Sequence, residues 1–514
     1  MLREICIFVV LKRILLFLLL FNAANTSYLV AQTISVDRYF IKTQGTLQNT
    51  PSNLDTLSID FSGFTNGLIL KTSYPFQLSF DAVNFDDSVS LSMSSGAGTP
   101  IYIRLLSSQK DEAYRSQIQI LNGLNSLSEK IYLIGSTIQT SEALSVGTWN
   151  IKWFGLPTKC GCDTNLARLN VTHILKELDL DLIALQEIVN EDQLSQVVQD
   201  LGPEYRYILA NYASRVQSQS GSGYLEAQKL AYIYKQNRIQ RTANYGLLKS
   251  SYPSQQGSNS PYYYFASGRW PFVFSGKAIA TGEQFTFVNI HGKAFSGTTE
   301  HNRRAGAALE MTNDLNANLP NEKIIVLGDY NDLLEGAITT GFSASPYSYM
   351  LQNNFVGITL PSVFPGENTY LGISTSLIDN FVVSKRASYA YVPSSTLILK
   401  EISEAVPNFR NTTSDHIPVI SHFYTSLSTK VNDISTLEKD FKIVHSSNHA
   451  LRILGAIHEA RTISIFSLDG KRIFQKEYQV AERIEEDASW FSRGVYVISI
   501  ETNSGVEFHK WLKR

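Results

Sequence analysis

The chain has 514 residues, 43% hydrophobic and 18% charged, with 44 Lys and Arg against 46 Asp and Glu for a formal net charge of −2. That length exceeds one ordinary core and predicts two or three domains. The near-neutral balance excludes a broadly basic surface, so a polyanion would have to be met by a local positive patch.

Arg3, Lys12 and Arg13 precede the apolar run Ile14 to Phe21, and small residues follow from Ala23. This pattern predicts a secretory signal over 1–31, cleaved near Ala31, and no stable membrane span in the mature protein. From 32 to 140, period-two triplets such as Phe76, Leu78 and Phe80, or Ile101, Ile103 and Leu105, lie between Gly, Asn, Asp and Ser clusters. They predict an Ig-like β-sandwich, a spacer or binding module.

From 141 to 425 the pattern changes to strands alternating with helices. Leu144 to Trp149, Leu182 to Leu185, Leu230 to Tyr234, Phe272 to Ala280, Gln284 to Ile290, Ile324 to Leu327, Ile378 to Val383 and Val419 to Phe423 read as strands. Asn165 to Leu178 and Arg303 to Leu319 carry apolar residues at helical spacing, and Ala280-Thr281-Gly282-Glu283 is hairpin chemistry. An α/β domain with a mixed or largely antiparallel sheet follows. With Cys6 inside the signal, Cys160 and Cys162 either pair with each other or with another molecule, or remain loop thiols. Tyr262 to Phe265 reads as a strand with alternate rings in the core; stacking on unpaired bases and dipping into a membrane interface are the other readings.

A polar linker over 426–436 leads to a small β-rich tail, 437–514. Its Ser464-Ile465-Phe466-Ser467-Leu468-Asp469-Gly470-Lys471, its Ser492-Arg493-Gly494-Val495-Tyr496 and its basic end at Lys510, Lys513 and Arg514 resemble the C-terminal sorting domain of substrates of the type IX secretion system. The resemblance implies export through that machinery, with the protein secreted or on the outer surface of a Gram-negative bacterium.

The chemistry concentrates in Trp149-Asn150, Leu185-Gln186-Glu187, Gly328-Asp329-Tyr330-Asn331-Asp332 and Ser414-Asp415-His416-Ile417-Pro418. Each ends an apolar run with a carboxylate, amide or imidazole. Loops beyond strand ends can converge such groups into oxygen ligands for a hard divalent cation beside a general base. Together with Gly268-Arg269-Trp270-Pro271, Asn289-Ile290-His291-Gly292-Lys293 and Ser376-Leu377-Ile378-Asp379, these stretches resemble the endonuclease/exonuclease/phosphatase superfamily, whose best-known member is DNase I. The resemblance implies a four-layer α/β/β/α sandwich, flanked here by the N-terminal and C-terminal β-sandwiches.

Residue by residue, Glu187 and Asp415 are the expected metal ligands. The metal is Mg²⁺ in the first instance, with Ca²⁺ or Mn²⁺ as alternatives. His416 is the expected general base and Asp379 the carboxylate that fixes its tautomer. Asp329 and Asn331, alternating at a strand end, are expected to position phosphate and attacking water. His291 is expected to protonate the leaving oxygen, oriented by Glu226 or Gln228. Asn150, Arg269 and Lys293 are expected to bind substrate phosphate, while the helix residues Arg303 and Arg304 read as either phosphate-binding or solvated. Lys152 stands where abasic-site repair relatives carry an acidic ligand, which counts against a repair role. The expected activity is extracellular cleavage of DNA or RNA by a phosphodiesterase. The competing readings are a phospholipid or inositol phosphate substrate, and a surface-binding protein with a retired site.

Overall fold

A computed structural model of the protein describes residues 32–425, except 44–45, 65–66, 93–97, 124, 253–256 and 373–375, together with segments of 442–513. The expected signal, the linker 426–436 and the turn Asp469-Gly470 lie outside the described residues. Packing divides the chain into two compact units. One takes in residues up to Ile41, Asn53–Leu106 and Ser116–Leu133; the other takes in Lys42–Ser52, Ser107–Arg115 and everything from Ile134.

The first unit is built on two sheets. One has the strand order Thr33–Val36, Asp55–Ser62, Thr99–Leu105, Phe76–Ser79, and the other Phe40–Lys42, Asn125–Ser136, Ala113–Asn122, Leu68–Lys71, Ser88–Leu91. Period-two alternation buries Ile101, Ile103 and Leu105 while leaving Tyr102 and Arg104 half-buried. Phe80, expected inward with Phe76 and Leu78, is exposed because its strand ends at Ser79.

In the second unit we number the strands of the middle region β1 (Ala143–Phe154), β2 (Leu182–Ile188), β3 (Tyr205–Leu209), β4 (Lys229–Lys235), β5 (Ile239–Gly246), β6 (Phe272–Ala278), β7 (Gln284–His291), β8 (Ile324–Asp329), β9 (Phe355–Gly357), β10 (Asp379–Ser384), β11 (Leu397–Ile398) and β12 (Val419–Tyr424). They form two six-stranded sheets of order β3-β4-β2-β1-β12-β11 and β5-β6-β7-β8-β10-β9. Each sheet contains a central parallel pair, β1 with β2 and β7 with β8, among antiparallel neighbours. Parallel strands end on the same side, so Asn150, Glu187, His291 and Asp329 are delivered to one edge.

Polar links cross between the sheets. Gln186 Nε2 donates to Asn289 Oδ1 at 2.8 Å, Asn289 Nδ2 donates to the carbonyls of Leu185 and Ala231, and Tyr232 Oη donates to the Phe272 carbonyl. Around them pack Phe274, Phe287 and Phe381, all fully buried, while Trp149, also buried, lies on the other face of β1 and stacks on Phe409. Helix α1 (Thr164–Leu178) is capped by Asp163, and α2 (Glu191–Leu201) by Asn190. Because Asn190 makes that cap, Glu187 is free of it. The hairpin turn expected at 280–283 joins β6 to β7, with Gly282 at φ 74°.

Two local readings are corrected. Pro261–Tyr264 is a helical turn, α3, rather than a strand: Ser260 caps it by accepting the Tyr263 N–H, and Pro261 supplies a preset φ at its first position. The long helix α4 spans Thr298–Asn318, so Arg303 and Arg304 lie past its first turn, and both are buried rather than solvated.

In the tail, strands Arg472–Tyr478, Arg461–Ser467, Gly494–Thr502 and Gly505–Lys513 form one sheet in that order. Its core holds Ile463, Ile465, Ile498, Ile500, Tyr496 and Trp511. Among the described residues no helix is long and apolar enough to cross a membrane.

Candidate active site

Register explains the convergence. His291 on β7 pairs with Asp329 on β8, and Asp329 pairs with Asp379 on β10, so three chemical side chains occupy one row and one face of the sheet. From the opposite sheet β1 contributes Asn150, whose Nδ2 donates to Asp329 Oδ2 at 2.9 Å and to Glu187 Oε1 at 3.1 Å. Glu187 Oε2 accepts the Trp153 N–H at 2.8 Å. Glu187 sits at φ 65°, a left-handed conformation held by these bonds.

His416 arrives on the segment before β12, which is fastened to the end of β1. Trp149 Nε1 donates to the His416 carbonyl at 2.8 Å, and Ser414 Oγ donates to the Asn150 carbonyl at 2.7 Å while accepting the His416 N–H at 3.0 Å. The imidazole Nδ1 lies 2.7 Å from Asp379 Oδ2. A carboxylate only accepts, so Nδ1 carries the proton and Nε2 faces the cleft. Nε2 is 3.9 Å from Asp329 Oδ2 and 4.0 Å from Asp415 Oδ1. On the other side of Asp329, His291 Nε2 stands 3.5 Å from the same Oδ2 and 3.7 Å from Glu187 Oε1. Two imidazoles thus address one carboxylate from two directions.

The sequence model of the Endonuclease/Exonuclease/phosphatase family matches residues 147–416, just over half of the chain and the whole of this convergence. The chain belongs to this family. Residues 445–514 match the secretion system C-terminal sorting domain, which implies export. Similar solved structures include a family member from Bacteroides thetaiotaomicron (17% identity, 55% of this chain and 96% of that one, TM-score 0.40). They also include the catalytic domain of human Nocturnin with bound sulfate (16%, 55% and 94%, 0.40) and a mannosyl-6-phosphatase of B. thetaiotaomicron (17%, 54% and 98%, 0.37). The comparison with curated proteins finds no match.

Endonuclease/exonuclease/phosphatase enzymes hydrolyse phosphoesters and generally depend on a divalent metal. The residues present fit one. Glu187, Asp329, Asp379 and Asp415 crowd a region whose nearest buried guanidinium, Arg269, is committed to protein carbonyls. Burial raises the pKa of both Asp329 and Glu187, a sign that their negative charge lacks compensation. Asp379 Oδ1 and His291 Nδ1 are buried without hydrogen-bond partners. Asp329, Asp379 and His416 place potential ligand atoms within 4.8 Å of one another. Nδ1 and Asp379 are already spent on each other, however, so that trio is a hydrogen-bonded dyad beside a carboxylate. Glu187 is partly exposed and has lone pairs to spare on both oxygens, which makes it the more available ligand.

Burial opposes the cationic form of His416, but Asp379 and Asp329 outweigh it and raise its pKa; burial together with Arg269 drives that of His291 well down.

Several expected site residues meet by other routes than the sequence suggests. Asn331 reaches Asp329 through a turn rather than by strand alternation. With φ at 52°, its N–H and its Nδ2 both donate to that carboxylate. Arg269 is wholly enlisted by protein: Nε and Nη2 donate to the carbonyls of His291 and Gly292, and Nη1 to Gln228 Oε1. Gln228 therefore acts on His291 through Arg269, and Glu226 is exposed and takes no part. Lys293 is half-buried beside His291, its Nζ donating to the Ala294 carbonyl. Asp332 grips Arg304 at 2.6 Å besides capping its own turn. Cys160 and Cys162 pair with each other. Tyr370, absent from the sequence reading, lies 5.0 Å from the His416 ring. It sits in a loop bridged to the His416 segment, which no local pattern announces.

Proposed function

We propose that the protein is an exported, divalent-metal-dependent phosphodiesterase that cleaves nucleic acid outside the cell. The observation that carries this reading is the pair of imidazoles, His416 and His291, whose Nε2 atoms stand 3.9 and 3.5 Å from the one oxygen Asp329 Oδ2. Cleaving a phosphodiester between sugars requires a proton removed from water on one side and a proton given to a poor alkoxide leaving group on the other. Two opposed rings stand where both are needed: a cation among the carboxylates would lower the pKa of His416, and the charge of a substrate phosphate would raise that of His291.

Glu187 and Asp415 would hold the cation, which when bound neutralises the excess of carboxylates and polarises a phosphate oxygen. Asp379 keeps the proton on Nδ1 of His416, leaving Nε2 to accept one from water. Asn150 and Asn331 both donate to Asp329 and hold its carboxylate in place; with its amide spent on Glu187, Asp329 and the Lys152 N–H, Asn150 acts through these carboxylates rather than on the phosphate. Arg269 fixes the His291 backbone, and Lys293 adds positive charge beside it.

The test is hydrolysis by the full exported chain of DNA, RNA, sphingomyelin and a sugar phosphate, each with Mg²⁺, Mn²⁺, Ca²⁺ or a chelator. Metal-dependent cleavage of a nucleic acid at the highest kcat/KM is the expected result. A higher value on the lipid or the monoester rejects the nuclease reading.

A further inference from the structure

Four residues beyond His291, Phe295 leaves 77% of its surface in water and adopts φ 78°. A residue with a Cβ pays energy for that backbone, and an exposed ring recovers none of it by burial. The conformation is imposed by Arg304. That side chain is fully buried, and its Nη1 donates to the carbonyls of Lys293 and Phe295, both at 2.7 Å, while Nε and Nη2 hold Asp332 at 2.9 and 2.6 Å. Lys293 and Asp332 lie two and three residues from His291 and Asp329, so the loop is tied to the same strand ends that deliver the catalytic groups. Lys293 Nζ sits 4.8 Å from the Phe295 ring centroid, on one face of the ring.

A ring fixed in register with a phosphate-cleaving site, with a cation at its side, has the chemistry that recognises a planar base attached to a phosphodiester. A membrane surface calls instead for a contiguous apolar patch. Leu225, which among the described residues is also strongly exposed, in a short helical turn before β4, is followed by exposed Glu226. We propose that Phe295 is a stacking platform for an unpaired nucleobase next to the scissile phosphate, an inference that rests on the nuclease reading and makes single strands or frayed ends the favoured substrate.

Two measurements test it. In a His416→Ala background with Mg²⁺, Phe295→Trp should show fluorescence quenching by a short single-stranded oligonucleotide, beyond that of the Phe295 parent, and none by the same oligonucleotide with abasic residues. With His416 intact, Phe295→Ala should lower kcat/KM about tenfold on the normal oligonucleotide and less than twofold on the abasic one. Equal losses on both substrates, or no loss and no quenching, overturn the stacking role. So does stronger quenching or a blue shift with sphingomyelin vesicles than with the oligonucleotide. Selective quenching without cleavage of any nucleic acid leaves stacking intact and removes the nuclease reading. Cleavage indifferent to Phe295 does the reverse.

Discussion

The N-terminal sheets and the middle region bury very different chemistry. Among the described residues of the N-terminal sheets, the buried polar side chains are only Ser and Thr, beside an aliphatic core of Leu57, Ile59, Leu78, Ile101, Ile103, Ile118 and Ile120. The middle region buries Asp181, Lys229, Arg269, His291, Arg303, Arg304, Asp329, Asp332, Asp379, His416 and His422. Charge taken out of water is costly unless it is paired, so its concentration marks where the fold gives up stability for position. Within the middle region the buried charges divide again. Arg304 and Asp332 satisfy each other, and Lys229 is satisfied by three carbonyls, whereas Asp379 Oδ1 and His291 Nδ1 stay unpartnered. Arg304, Asp332 and Lys229 build walls, whereas Asp379 and His291 stand at the convergence; His422, whose Nδ1 is also unpartnered, lies away from it.

The sharpest way to break this contrast is to substitute on each side of it. His416→Ala and Glu187→Ala should each lower kcat/KM on the order of a thousandfold with an unchanged unfolding midpoint. Ile103→Ala should destabilise its own unit by about 2–4 kcal/mol while leaving kcat/KM within twofold. A large activity loss from Ile103→Ala, or near-normal rates in both site variants, would dissolve the distinction.

Lys229 separates the satisfied buried charges from the catalytic ones. Its Nζ donates to the carbonyls of Val189, Tyr224 and Ala227 at 2.8, 2.9 and 3.0 Å. Lys229→Met keeps the shape and leaves three carbonyls without their donor, so urea denaturation should show a loss of about 3 kcal/mol. Arg would keep the charge but not the compact geometry, and should recover part of it. An unchanged midpoint in the Met variant would mean the lysine is not a structural charge at all.

Much of the middle region is legible in sequence because its central strands are continuous apolar runs ending in a polar residue, as at Leu182 to Glu187 and Ile324 to Asp329. What escapes has physical reasons. Strand β5 reads Ile-Gln-Arg-Thr-Ala-Asn-Tyr-Gly and is almost wholly exposed at a sheet edge, so no alternation betrays it. The helical turn at Pro261–Tyr264 is signalled by Ser260 and Pro261, and the aromatic run masks that signal. Arg304 reads as either phosphate-binding or solvated and nothing in the sequence marks Lys229 as buried, because long cations usually lie at the surface. Lys229 is held by main-chain carbonyls, and Arg304 by two more besides Asp332 and Thr339; carbonyls carry no sequence identity. Of the site, residue types are legible from the motifs, but the reach of Asn150 across to Asp329 and the approach of Tyr370 to His416 depend on how separate strands and loops meet.

A pH-dependent effect, absent above pH 6.5, concerns a buried histidine away from the cleft. His422 on β12 is buried, with its N–H donating to Ser395 Oγ, and burial lowers its pKa to about 4. In the unfolded chain the ring titrates at about 6.5. Between these values the unfolded state binds a proton that the folded state refuses, so this group's contribution is complete above pH 6.5 and is lost as pH falls toward 4. The loss is at most about 3 kcal/mol. Glu187 and Asp329, whose pKa values burial raises, act with the opposite sign: the folded state holds their protons more tightly, and acid relieves their cost. The wild-type acid slope is therefore a difference of opposing contributions. Subtracting the stability curve of His422→Gln isolates the histidine, and the variant should gain on wild type steadily from pH 6.5 down to 4. If the two curves stay parallel across that window, the ring is charged in the folded protein and the middle region carries one more unpaired cation than its geometry accounts for.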